Sequence, residues 1–207
     1  MANSEHLAKL REGVAAWNEW IALQESMRDG PTSREFRPDL SEADLSGMDL
    51  SEANLRLAIL RGANLSRAVL VEADLTYADL RRADLTRANL YLADLGDVDL
   101  RAAKLRGANL VGTDLCSARM VEADLRRAHM YGSVLTWADL SGANLRGADL
   151  RSTNLRGSKL IKADLCWARL YRADLTFADL TGARRSWWHR LLPSTAPKVP
   201  DGSRPPH

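Results

Sequence analysis

Asp or Asn recurs every five residues through most of this 207-residue chain, at 21 of the 29 positions from Asp39 to Asp179. Carboxylates at that density could pair for general acid and base work or cage a cation. Asp74, Asp94 and Asp114 lie twenty residues apart with Asp97 close by, and together they form a candidate acidic patch for a cation or a partner. Catalysis does not follow, because a lattice of acids on a convex surface neither excludes water nor holds a substrate. These residues are better read as short polar side chains supporting backbone groups at turns. His6, His129, His189 and His207 lack ligand spacing, and Cys116 and Cys166 form no paired metal motif. No nucleophile elbow or phosphate-cradling glycine loop occurs, and Asn64-Leu65-Ser66 matches a glycosylation acceptor only because the repeat generates it. No catalytic residue, cofactor or metal is therefore expected, and the chain is expected not to be an enzyme.

The elements that carry these acids follow from the apolar spacing. Every fifth residue from Leu40 to Leu180 is Leu, apart from Met120 and Met130, and the residue two before it is usually Ala. An α-helix cannot use this period, since at about 100° per residue successive leucines would step about 140° around the axis. A flat strand fails as well, because an odd repeat sends successive leucines to opposite faces. Only a chain that turns a corner in every repeat keeps them all inside, with Ala and Leu inward and the Asp or Asn and two corner residues outward. A longer period gives the number of sides. Taken every twenty residues, the first residue after Leu reads Ser51, Val71, Tyr91, Val111, Tyr131, Arg151, Tyr171, and the second places Leu57, Tyr77, Trp137 and Phe177 in the next class. Val and aromatic residues concentrate in these classes, so four repeats make one coil. The array then has about seven coils and a length on the order of 34 Å at the ~4.8 Å strand spacing.

Runs such as ADLSGMDLSEANL, ADLTYADLRRADLTRANL and ADLSGANLRGADL resemble the pentapeptide-repeat family, whose pattern is Ala, Asp or Asn, Leu and two variable residues. The match spans roughly 38–183 without an insertion. It implies an all-β solenoid, a right-handed quadrilateral β-helix. GVAAWNEW followed by RPDLSEADL also resembles a helical segment that precedes such arrays. A solenoid exposes apolar core at both ends, and both flanks offer cover. Residues 1–37 read as a helical cap and linker, in which Leu7, Leu10, Val14, Trp17 and Ile21 predict one capping helix over 4–28, with Asn3 or Ser4 as N-cap and Gly30-Pro31 as stop. Glu5, Glu12 and Glu19 on its polar face weigh against the alternative of a membrane-surface helix. Residues 184–192, RRSWWHRLL, predict a short C-terminal helix. Its Trp187, Trp188, Leu191 and Leu192 would cover the last coil or make a dimer contact, while Arg184, Arg185 and Arg190 would also suit an anionic surface. Residues 193–207 read as a disordered Pro-rich tail.

Sorted by side, the outward residues form two surfaces. A candidate partner face carries Leu57, Val71, Tyr77, Tyr91, Leu92, Val111, Tyr131, Trp137, Tyr171 and Phe177. A candidate basic face carries Arg61, Arg67, Arg81, Arg82, Arg87, Arg101, Arg106, Arg126, Arg127 and Arg146. Contiguous exposed apolar surface marks interfaces, so the expected function is a structural or protein-binding module acting through the outer faces of the solenoid. Its partner would be a protein of unknown identity, or a second copy in a homodimer. The resemblance implies a second reading, a DNA-mimicking inhibitor or protector of DNA gyrase or another topoisomerase that confers antibiotic resistance. Residues 39–183 hold 19 Lys and Arg against 20 Asp and Glu, too balanced for a DNA mimic, and Leu stands at the central position where those relatives favour Phe. Direct nucleic-acid binding is disfavoured, because arginine columns beside Asp columns read as a salt-bridge lattice and counterion release needs unneutralised charge. No stretch approaches the roughly 20 apolar residues of a membrane span, and no basic start leads into an apolar run, so a cytoplasmic location is expected. Cys116 and Cys166 fall on opposite sides of the coil and should not pair.

Overall fold

The structure, a computed structural model, describes residues 1–27 and 36–185. The helix expected at 184–192 with Trp187, Trp188, Leu191 and Leu192, the tail at 193–207 and the Gly30-Pro31 stop therefore fall outside the described residues, apart from Arg184 and Arg185.

From residue 39 the chain turns in every repeat. The Ala N–H closes each turn on the carbonyl of the Leu three residues back, as from Ala63 to Leu60 at 3.0 Å. The second residue after Leu takes a left-handed conformation, with φ 60° at Arg67, 59° at Tyr77 and 61° at Trp137. That region disfavours L-residues by about 1–2 kcal/mol each. It persists because the same N–H then reaches the next coil, as from Arg67 to the Thr86 carbonyl at 3.0 Å. Between corners the chain is straight for only three residues. The central one bridges in parallel to the residue twenty ahead, from Asp39 with Ile59 through to Asp164 with Arg184. The sheets are thus ladders of single bridges, and one turn of the solenoid takes twenty residues and four sides.

Inside, the Leu and Ala columns of the central coils have no exposure. Where a hydroxyl residue takes the Ala place it stays buried and satisfied, as Thr113 donates to the Leu110 carbonyl at 2.8 Å and Ser133 to the Met130 carbonyl at 2.7 Å. The ends differ. Leu40, Leu45 and Leu50 of the first coil are fully buried, whereas Leu170, Leu175 and Ala178 near the other end are only partly so.

The first coil lies under two helices, α1 (Ser4–Arg11) and α2 (Val14–Ser26). This corrects the single helix expected over 4–28. Gly13 at φ 112° breaks it, in a conformation that only glycine adopts readily. Asn3 is the N-cap of α1, its side chain accepting from Glu5 N at 2.9 Å. Leu10, Trp17 and Ile21 are buried against the array. The helices also satisfy backbone groups that a preceding coil would otherwise meet. Asp39 N donates to His6 Nδ1 at 2.9 Å, Asn54 N to Asn18 Oδ1 at 2.8 Å, and Trp17 Nε1 to the Asn54 carbonyl at 2.7 Å. Trp20 stands between His6 and Phe36, ring centroids 5.3 Å from each. No helix among the described residues is long and apolar enough to cross a membrane. Cys116 and Cys166 do not form a disulfide with each other.

Candidate functional site

The outward Asp side chains fold back onto their own turns. Asp74, Asp94 and Asp114 bridge in succession, and each Oδ1 accepts the N–H two residues on: Thr76 at 2.9 Å, Gly96 at 3.0 Å and Cys116 at 2.8 Å. They brace corners. Asp97 lies at a left-handed corner, its N–H given to the Cys116 carbonyl at 2.9 Å. Among the described residues no group of three or more His, Cys, Asp or Glu is placed to hold a metal ion.

Two exposed columns of large side chains flank this acidic column on one side of the tube. Tyr91, Leu92, Tyr131 and Tyr171 follow the corner before it; Tyr77, Trp137 and Phe177 follow the corner after it. Trp137 is 64% and Phe177 72% exposed, a large apolar area for water to contact. Leu57, Val71 and Val111 are only partly exposed and fill out the columns, Val71 and Val111 in the first and Leu57 in the second. Gly157 matters to Trp137, since a Cβ built there would sit 2.5 Å from Trp137 Cε3, so the indole lies flat on the next coil only because that position has no side chain. Four arginines complete this surface. Arg56 lies 4.7 Å from the Tyr77 ring centre, Arg156 5.1 Å from Phe177, Arg172 5.2 Å from Tyr171 and Arg151 5.7 Å from Tyr131. The partner face expected from sequence omitted them. The first two pairs are twenty-one residues apart, one coil plus one, a spacing already implicit in the twenty-residue period.

The ten arginines expected on one basic face divide into two groups. In the tripeptide Asp-Leu-Arg the guanidinium folds back onto the carboxylate two residues before it. Arg81 reaches Asp79 through Nε at 2.7 Å and Nη2 at 2.6 Å, Arg101 reaches Asp99 at 2.6 Å, and Arg126 reaches Asp124 at 2.5 Å. Arg61, which has Ile59 where the acid would be, crosses to Asp79 of the next coil at 3.1 Å. Arg67, Arg82, Arg87, Arg106, Arg127 and Arg146 have no carboxylate within 4.0 Å among the described residues. Arg106 follows Lys104 and Arg146 follows Asn144, so neither has an acid two residues before it. Arg67, Arg87, Arg106 and Arg127 line an open groove of about 730 Å³ with Ser46, Gly47, Ser66, Asp84, Thr86 and Gly107. Its one carboxylate, Asp84, is 3.6 Å from Lys104.

The matched carboxylates have shifted ionisation. Burial acts to raise the Asp79 carboxyl, but hydrogen bonds from Arg81 and Arg61 overcome it and hold the group well below the usual carboxylate range. Asp99 is lowered in the same way, against burial, by Arg101, and Asp124 by Arg126 first of all. A carboxyl lowered on folding stabilises the fold above the unfolded-state value near 4, and that contribution is lost as pH falls through the folded value. The melting temperature is therefore expected to hold between about pH 7 and 5 and to drop below about pH 4, with a smaller acid loss in Asp79→Asn. Melts at about pH 6 and about pH 3 check this, and equal acid losses in the two proteins would contradict it.

No curated protein matches the chain. Among solved structures, HetL, a pentapeptide repeat protein involved in heterocyst differentiation regulation from Nostoc sp. strain PCC 7120, shares 28% identity over 78% of this chain and 94% of its own, with a TM-score of 0.32. A pentapeptide repeat protein of the Arabidopsis thaliana thylakoid lumen shares 29% over 63% of this chain and 79% of its own, with a TM-score of 0.41. QnrB1, a plasmid-mediated fluoroquinolone resistance protein, shares 20% over 74% of this chain and 86% of its own, with a TM-score of 0.46. The family described as Pentapeptide repeats matches in 8 copies, in overlapping segments from 39–76 to 148–184. The chain belongs to the pentapeptide-repeat family, whose members fold as right-handed quadrilateral β-helices and are generally structural or binding proteins rather than enzymes.

Proposed function

We propose that this chain is a non-enzymatic protein-binding module of about seven coils, sealed at its N-terminal end by α1 and α2, whose partner docks on the side bearing Tyr77, Tyr91, Tyr131, Trp137, Tyr171 and Phe177. The observation that carries this reading is the exposed aromatic surface with arginines stacked over four of its rings. Trp, Tyr and Arg are the residues that dominate binding energy at protein interfaces.

The gyrase reading stays second. A DNA mimic needs a continuous negative surface, and here Asp79, Asp99, Asp124 and Asp149 are each matched by an arginine. Photo-crosslinking from position 131, compared with position 67, tests the proposal. Crosslinks to one partner, or to a second copy, are expected from 131. Binding of that partner should weaken about 30-fold or more when Trp137 and Phe177 become Ser, as for hot-spot residues. Equal crosslinking from both positions would sink the reading. A supercoiling assay with and without a quinolone, run on the same variants, distinguishes a gyrase partner from others.

A further inference from the structure

We infer that the groove lined by Arg67, Arg87, Arg106 and Arg127 binds the phosphate backbone of duplex nucleic acid. Counterion release, which drives backbone binding, needs unneutralised charge. That condition fails where Asp-Leu-Arg pairs form and holds in the groove. Arg67, Arg87, Arg106 and Arg127 have no carboxylate within 4.0 Å among the described residues; Asp124, whose carboxylate feels Arg106 at longer range, is already paired with Arg126, and the groove's own Asp84 is matched by Lys104.

The groove's shape and lining select the ligand. The four arginines occupy four successive coils, so at about 4.8 Å per coil they form a row of cations about 14 Å long, parallel to the tube axis. A row of that length spans two or three phosphates of one strand, and each guanidinium presents a planar fork that fits phosphate oxygens. Ser66 and Thr86 add hydroxyls, and Gly107 leaves the backbone accessible. An acidic protein would need an apolar anchor to bind with useful affinity, and the groove's lining is Ser, Gly, Thr, Asp and Arg throughout. A single strand would seek aromatic rings for its bases, and none lines the groove. A duplex backbone needs neither, because its non-specific binding is almost wholly electrostatic. Around the twenty-residue coil the groove lies about ten residues from the column of Tyr77, Trp137 and Phe177 and four to five from that of Tyr91, Tyr131 and Tyr171.

Fluorescence anisotropy with a labelled DNA duplex of about 20 base pairs tests it. With three phosphates neutralised, affinity is expected to fall roughly 40-fold between about 50 and 200 mM salt, with a log-log slope of about −2.7. Arg67→Gln/Arg87→Gln/Arg127→Gln should flatten that slope to about −1 and weaken binding at least 10-fold at low salt. Trp137→Ser/Phe177→Ser should bind as the parent does, and circular dichroism shows that each variant is folded. Absence of binding at about 50 mM salt would overturn the inference, as would a slope unchanged in the triple variant. Tighter binding of poly-glutamate than of the duplex would assign the groove to an acidic protein and overturn it too.

Discussion

Leu110→Ala is expected to lower the unfolding free energy by about 3–5 kcal/mol. Leu110 has no exposure and sits in a column with Leu90 and Met130 one coil to either side. Truncating it leaves a cavity that the neighbours cannot close. Coil spacing is held by backbone bonds, such as Leu90 N to the Asn109 carbonyl at 2.8 Å and Leu110 N to the His129 carbonyl at 2.7 Å. Two comparisons make the test specific. Met130→Leu keeps the volume and should change stability by less than about 1.5 kcal/mol. Leu170→Ala, in the same column but only partly buried near the far end, should lose less than half of what Leu110→Ala loses. Because each coil contacts only its neighbours, the central cavity should also uncouple the two halves and broaden the urea transition. Equal losses at positions 110 and 170 would mean that the far end is as well packed as the centre.

Trp17→Ala is expected to cost a similar amount, about 3–5 kcal/mol, for a different reason. Trp17 is fully buried between α2 and the first coil, and its indole N–H meets the Asn54 carbonyl at 2.7 Å. Its removal empties the largest side chain from that contact and leaves a backbone acceptor unmet. Trp17→Phe separates the two effects. It keeps most of the apolar volume and loses the hydrogen bond, and should cost about 1–3 kcal/mol. Hydrogen exchange locates the damage. Amides of the first coil, Leu40 to Leu55, should exchange faster in Trp17→Ala while those near Leu110 hold. If first-coil exchange were unchanged, α1 and α2 would be accessory to the array rather than the seal proposed for its N-terminal end.

The split basic face shows how far residue order reaches. Asp-Leu-Arg at 79–81, 99–101 and 124–126 is visible in the sequence, and so is its absence before Arg106 and Arg146. Each pairing follows from two side chains leaving the same short straight and corner. The array's net charge near zero is the same whether every arginine is matched or half of them are.

Residue order alone requires the solenoid. A period of five cannot keep its leucines inside without a corner in every repeat, and the twenty-residue recurrence of Val and aromatic residues settles four repeats to a coil. Bridges such as Asp74 with Asp94 and Asp94 with Asp114 follow directly from that register. Tertiary structure decided what depends on side-chain reach across coils. Arg56 lies over Tyr77 and Arg61 crosses to Asp79, while Trp137 lies flat on Gly157. It also decided the break at Gly13, because apolar spacing alone runs through that position, and only docking of Trp17 and Asn18 on the first coil fixes where the helix must turn. Local periodicity states which way each residue points; which neighbour it meets depends on the coils stacked above and below it.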